Sequence, residues 1–416
     1  MDETPYRFEP AFLEEDVPSP LVGLATEIAQ CSARLPGRLP APAAAELADL
    51  VRIMDCYYSN LIEGHATRPI DIEKALARPS LEARPLVQEA RAHIEVQKHI
   101  DDLAGAAALP LPTSVAFLQD LHRRFYERMP AELRIIESTT STIEIEPGAF
   151  RNDVAHDVAV GIHVPPSSER VPDFMRAFGE RFAKAAGHPG QKILAIPAAH
   201  HRLAYIHPFI DGNGRIARLM SHAMCQHAGI GANGLWSISR GLARGLEDRG
   251  EYKQMMRAAD APRRGERDGR GNLSRAALID FSEWFLKIAL DQISFCAQAF
   301  DLDALAGRYQ RLADLVFEGK TQPSRLIVKT LELGELARGD AALIVGSSER
   351  TARTIVAACT ARGFLKTDTP KGPLRVGFPV QDRAYLFPGL FADKPLPAPP
   401  TNFLAPEPPG RSGMGD

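Results

Sequence analysis

Apolar residues recur at helical spacing along most of the chain. Across residues 43–63, Leu47, Leu50, Val51 and Met54 fall at i, i+3, i+4 and i+7, and Gly64 follows as a natural stop. Residues 85–104, 113–129 and 171–186 carry the same amphipathic pattern. Residues 197–206 predict a short helix with Pro197 in its first turn, where proline is tolerated. Residues 215–228 predict another, closed by Gly229, with Ile216, Leu219, Met220, Ala223 and Met224 as its stripe. A long helix is expected over 274–300 with Ser274 as its N-cap. Strands are expected at two places only. One is the β-branched run 158–164, closed by Pro165 and Pro166; the other is the pair 363–366 and 374–378 across a turn-rich connection. Three helical patterns and then a two-stranded ribbon, within 323–378, is the order of a winged helix-turn-helix. The pattern predicts a mainly α protein with minor β.

Both ends read as tails. Residues 1–20 hold four prolines and a cluster of acids, and residues 392–416 are too rich in Pro and Gly to bury their few apolar groups. The 416 residues carry 49 Lys plus Arg against 52 Asp plus Glu, a net charge of −3 that argues against a protein dominated by nucleic-acid binding. No apolar run is long enough to span a membrane, and the acidic start lacks the order of a secretory signal. Cys31, Cys56, Cys225, Cys296 and Cys359 are scattered and odd in number, which suits small core residues in a reducing compartment. A soluble, cytoplasmic, multidomain protein is expected.

Chemistry concentrates in residues 207–218, HPFIDGNGRIAR. A glycine-rich loop that feeds a helix start points several backbone N–H groups at one spot, with the positive end of the helix dipole behind them. That is a phosphate cradle. Arg215 and Arg218, at i and i+3, can fork onto successive phosphates. Asp211 at the loop apex is a hard oxygen ligand suited to a Mg²⁺ that bridges phosphates. His207, at the loop entrance, is a candidate general base. Asn213 adds an amide for a phosphate oxygen or for the loop itself.

The string His207-Pro208-Phe209-Ile210-Asp211-Gly212-Asn213-Gly214-Arg215, followed by Arg218, resembles the Fic signature HPFx(D/E)GNGRxxR at every position. The resemblance implies a helical Fic (Fido) core with a small β-hairpin flap, and transfer of AMP from Mg-ATP to a protein hydroxyl. It implies that His207 takes the proton of a Tyr, Thr or Ser hydroxyl and that Asp211 holds Mg²⁺ between the α- and β-phosphates. Gly212, Asn213 and Gly214 would then bind phosphates, with Arg215 and Arg218 clamping β and γ. Ser59-Asn60-Leu61-Ile62-Glu63-Gly64 looks like the family's inhibitory motif (S/T)xxxE(G/N), in which Glu63 would occupy Arg218 from within the same chain. Residues 147–151 together with 158–166 resemble the flap region, and 235–244 with 268–274 resembles a bacterial subgroup carrying a C-terminal winged helix. His200 and His201 are expected in supporting rather than catalytic roles.

These readings divide the chain into a tail (1–20), a helical region with the inhibitory motif (21–110), the Fic core (111–232), a helical extension (233–315), a winged helix (320–391) and a Pro-rich tail (392–416). Residues 323–378 carry an excess of four positive charges, and Arg350 and Arg353 lie where a DNA-reading helix would place its contacts. Two function classes therefore compete: an adenylyltransferase, or a DNA-binding regulator whose Fic core senses nucleotide. Self-modification, a homodimer and DNA contact by the last module are further partner expectations. Gly214, where relatives that transfer a γ-phosphate carry Lys, favours AMP transfer over phosphate transfer. UMP or phosphocholine transfer, and removal of AMP with Glu63 positioning water, stay open.

Overall fold

The structure, a computed structural model, describes residues 3–65, 67–77, 85–137 and 142–391. The C-terminal tail expected over 392–416 lies outside the described residues. The first helices are α1 (Ser19–Arg34), α2 (Ala41–Ile62), α3 (Pro69–Ala77), α4 (Pro85–Gly105) and α5 (Val115–Tyr126). A hairpin of β1 (Ile135–Glu137) and β2 (Thr142–Glu144) follows. Next come α6 (Val171–Ala186), α7 (Pro189–Ile206), α8 (Asn213–His227), α9 (Ser239–Arg244), α10 (Glu251–Ala258) and α11 (Arg275–Ala299). The last part holds α12 (Leu302–Val316), α13 (Thr321–Leu333), β3 (Glu335–Leu336), α14 (Ala341–Val345), α15 (Glu349–Arg362), β4 (Leu365–Lys366), β5 (Leu374–Val376) and α16 (Arg383–Leu386).

α8 lies at the centre. It packs on α7, α4 and α5, while α7 also contacts α6 and α11, and α2 packs on α9, α4 and α3. The apolar stripe expected for α8 is buried at Ile216, Leu219, Met220 and Ala223. Ser274 caps α11 as expected, accepting from the Ala277 amide at 3.1 Å. In the final part α13, α14 and α15 pack in succession beside an antiparallel sheet of order β3-β5-β4, an order of elements compatible with the winged helix expected there. Gly346, at φ 63°, ends α14 in a left-handed conformation that a Cβ would disfavour, and Ser348 then caps α15.

Four expectations are corrected. Residues 3–18 are no solvated tail: Phe8, Phe12 and Leu13 are buried, and Phe8 and Phe12 meet Phe174 and Phe182 of α6. The aromatic anchors outweigh the prolines, which here only set turns. The run 158–164 forms a single bridge between Val160 and His163, not a strand. Val160, Ile162 and Val164 face solvent, so no second element covers the run. A separate hairpin, β1–β2, lies earlier in the chain, and its three-residue strands are too short to show a period. The helix before the signature starts at Pro189, which puts Pro197 inside it rather than in its first turn. β3 is an extra strand of two residues, and it pairs with β5 through Leu336 and Leu374.

Candidate functional site

The loop 207–212 joins the C-terminus of α7 to the N-terminus of α8. His207 closes α7 at φ 51° and ψ 60°, a left-handed cap that turns the chain out of the helix. Fully buried Arg151 holds this turn. Its Nε donates to the His207 carbonyl at 2.7 Å, its Nη1 to Ser168 Oγ at 2.9 Å, and its Nη2 to the Pro166 and Ile206 carbonyls. Burial, aided by the Arg151 charge, draws the half-buried His207 imidazole down to about 4. It is therefore neutral at pH 7 and able to accept a proton.

Asn213 settles one of its two expected roles. Its Oδ1 accepts from the Phe209 amide at 2.9 Å and its Nδ2 donates to the Phe209 carbonyl at 2.8 Å, so the side chain closes the loop upon itself. Phe209 stacks on His122 of α5, with ring centroids 4.0 Å apart. His122, pulled to about 4 by burial, accepts from the Gly148 amide at 2.9 Å. Gly212 adopts φ 78°, and a Cβ there would come within 2.9 Å of the Tyr126 ring. Asp211 is exposed and accepts a bond from the Tyr126 hydroxyl at 2.6 Å.

The two signature arginines have different partners. Arg218 is 2% exposed; its Nε donates to Ser59 Oγ at 2.9 Å and its Nη2 to Glu63 Oε1 at 2.6 Å. Burial works against the Glu63 charge, but Arg218 and Arg215 outweigh it and hold the carboxyl below its usual range. Glu63 ends α2 and is 31% exposed, which lets it reach across to α8. A Cβ on Gly214 would sit 2.4 Å from Glu63 Oε1, so only glycine leaves room for this contact. Arg215 instead meets buried Glu89 of α4 and, at 3.0 Å, His65 Nδ1, with Phe125 beneath its guanidinium.

Beside Arg218 lies a cavity of about 190 Å³ lined by Leu61 and Ile62 of α2, Leu242 and Ala243 of α9, and Arg249, Tyr252 and Lys253. Tyr252 links it to His200, whose Nε2 lies 2.8 Å from the hydroxyl. His200 and His201 are buried on α7 and engage Ser221, Tyr252, Met256 and Asp260, a supporting arrangement. In the last module, Arg350 and Arg353 are exposed on α15, and Arg353 pairs with Glu349 at 2.8 Å.

Motif reading missed Glu89, His65, Arg151, Tyr126 and Tyr252. A signal existed for the first: Glu89, His93, Gln97 and Asp101 recur every four residues along α4. All four have partners or burial to match, with His93 on Asp55 and Asp101 on His222.

A neutral imidazole, an exposed carboxylate and a glycine-shaped loop thus meet at the start of α8. Residues 112–225 match the model of the Fic/DOC family, and the chain carries a Fic domain. Curated relatives include the protein adenylyltransferase Fic of Nematostella vectensis, 38% identical over 86 residues, which are 21% of this chain and 19% of that protein. The Drosophila ananassae protein of the same name is 40% identical over 86 residues, 20% of this chain and 16% of its own. The matches thus take in less than a fifth of these relatives. Among solved structures, a Fic family protein from Desulfovibrio desulfuricans G20 aligns over 86% of this chain and 96% of its own, with TM-score 0.49 and 18% identity. No described helix is long and apolar enough to cross a membrane.

Proposed function

We propose that the protein is an adenylyltransferase that moves AMP from Mg-ATP onto a Tyr, Thr or Ser hydroxyl of a protein, restrained in cis by Glu63. The observation that carries the reading is the loop 207–212, where His207, Asp211 and the N-terminus of α8 converge. The hydroxyl oxygen attacks the α-phosphorus, its proton passes to His207, and the bond to pyrophosphate breaks. His207 suits this role because it is neutral at pH 7 and its backbone is clamped by Arg151.

Mg²⁺ fits the donor set. Among the described residues no cluster of three or more His, Cys, Asp or Glu could hold a metal, and Asp211 stands as a lone exposed carboxylate. Such a site matches Mg²⁺, which takes one or two carboxylates and completes its shell with phosphate and water. When bound, the ion would neutralise charge developing on the phosphates. Arg218 would grip the terminal phosphates once Glu63 leaves it, and the cavity beside Tyr252 suits the nucleoside. Since Asn213 is committed to the loop, the backbone amides at the α8 start are the remaining phosphate donors. The exposed run at Val160, Ile162 and Val164, beside the segment that Arg151 ties to the loop, is available to pair with an extended target segment.

The test is incubation of Glu63→Gly with ATP labelled at the α-phosphate, with and without lysate. Label on the enzyme or on another protein, faster than with wild type, is expected. Absence of label from both proteins overturns the reading. A sequence-specific shift of a promoter fragment with no label transfer would establish the regulator instead.

A further inference from the structure

Tyr126, the last residue of α5, joins the signature loop in two ways. Its hydroxyl donates to Asp211 Oδ2 at 2.6 Å, and its ring fills the space that a side chain at Gly212 would need. Tyr126 is 2% exposed whereas Asp211 is exposed, so a rigid, buried group holds a solvent-facing carboxylate from behind. The loop does not need this bond to close: Asn213 and Arg151 already fasten it.

We propose that Tyr126 is a positioning residue for Asp211, its hydroxyl holding one carboxylate oxygen so that the other is presented to the divalent cation of a metal-nucleotide complex. The proposal rests on the reading of Asp211 as the metal ligand. Carboxylates that ligate metals are commonly oriented by such outer hydrogen bonds, and losing one costs on the order of 10- to 100-fold in metal affinity or activity. Phenylalanine would keep the packing against Gly212 and remove only the donor.

The experiment is calorimetric titration of ATP into Glu63→Gly and into Glu63→Gly with Tyr126→Phe, each in Mg²⁺ and in EDTA. The Phe variant is expected to bind ATP about tenfold more weakly in Mg²⁺ and equally well in EDTA, with an unchanged thermal midpoint. AMP transfer should then require about tenfold more Mg²⁺ to reach its plateau. Unchanged affinity in both media, or equal weakening in both, would overturn the proposal and leave Tyr126 a packing residue. If the Glu63→Gly parent binds ATP no better with Mg²⁺ than in EDTA, the metal role of Asp211 fails and takes the proposal with it. That failure shows in the parent, before Tyr126 is altered.

Discussion

Arg218 cannot serve Glu63 and a phosphate at once. Its Nε is committed to Ser59 and its Nη2 to Glu63, which leaves the terminal phosphates of ATP to displace a charge-assisted bond. Such bonds contribute ~1.5–3 kcal/mol, so Glu63→Gly should raise AMP transfer by ~10- to 100-fold in the labelling assay. Ser59→Ala removes a neutral partner and should give a smaller rise, within ~10-fold. Equal rates for wild type and Glu63→Gly would rule out the restraint. His207→Ala should abolish transfer while ATP binding by calorimetry stays largely intact, since the imidazole acts on the hydroxyl. Because burial draws His207 to about 4, its neutral form dominates above that pH. The rate of Glu63→Gly should therefore climb as pH rises through about 4 and be level from ~6 to 8. A break near the ordinary histidine value of ~6.5 would mean that His207 is not the desolvated base described here.

Among the elements, α4 holds α8 in register. Its polar residues meet four charged or polar partners on α8 and α2: Glu89 takes Arg215, His93 takes Asp55, and Asp101 takes both His222 and Arg52. Removing one partner of a buried pair leaves the other charge uncompensated, at ~3–5 kcal/mol. Glu89→Ala should thus lower the urea midpoint strongly, and Glu89→Gln, which keeps a hydrogen-bond acceptor, should lower it less. α8 was legible because loop glycines, a cap and an apolar stripe agree within one short string. Glu63 was legible because the spacing from Ser59 puts both on one face of a helix end. Arg215 was only half legible: its place on the helix follows from sequence, but Glu89 lies more than a hundred residues away and no local pattern joins them. The strand expected over 158–164 failed for a related reason. A β-branched run marks a strand only if something covers it, and Ile162 remains 73% exposed. Pro189-Gly190 reads as a breaker, which hid the first half of α7.

Across the whole molecule, charge that looks free in the sequence is mostly spent internally. In the last module, Lys366 and Arg375 both pair with Glu46 of α2, and Arg353 pairs with Glu349, so the local positive excess overstates what DNA could meet. The same interior sets how the protein responds to acid. His122 is pulled to about 4 and His200 to about 3 by burial, and His201 moves the same way. A histidine whose folded pKa lies below its unfolded value of ~6.5 binds protons more readily when unfolded. Its contribution is complete above ~6.5 and is lost as pH falls toward the folded value, by on the order of 3 kcal/mol for His122 and ~5 kcal/mol for His200. His222 runs the opposite way: Asp101 overcomes the penalty of burial and raises it, so its contribution is present at low pH and lost as pH rises. The depressed histidines, His207 among them, outnumber raised His222 and give a net loss on acidification. The urea midpoint should begin to fall as pH drops below ~6.5, a unit or more above the range where ordinary carboxylates begin to protonate near pH ~5. Replacing His200 by Gln, which cannot gain a charge, should flatten that slope even if it lowers the plateau. A midpoint that holds constant from pH 7 to 5 would show that these histidines do not enter the unfolding equilibrium as buried neutral groups.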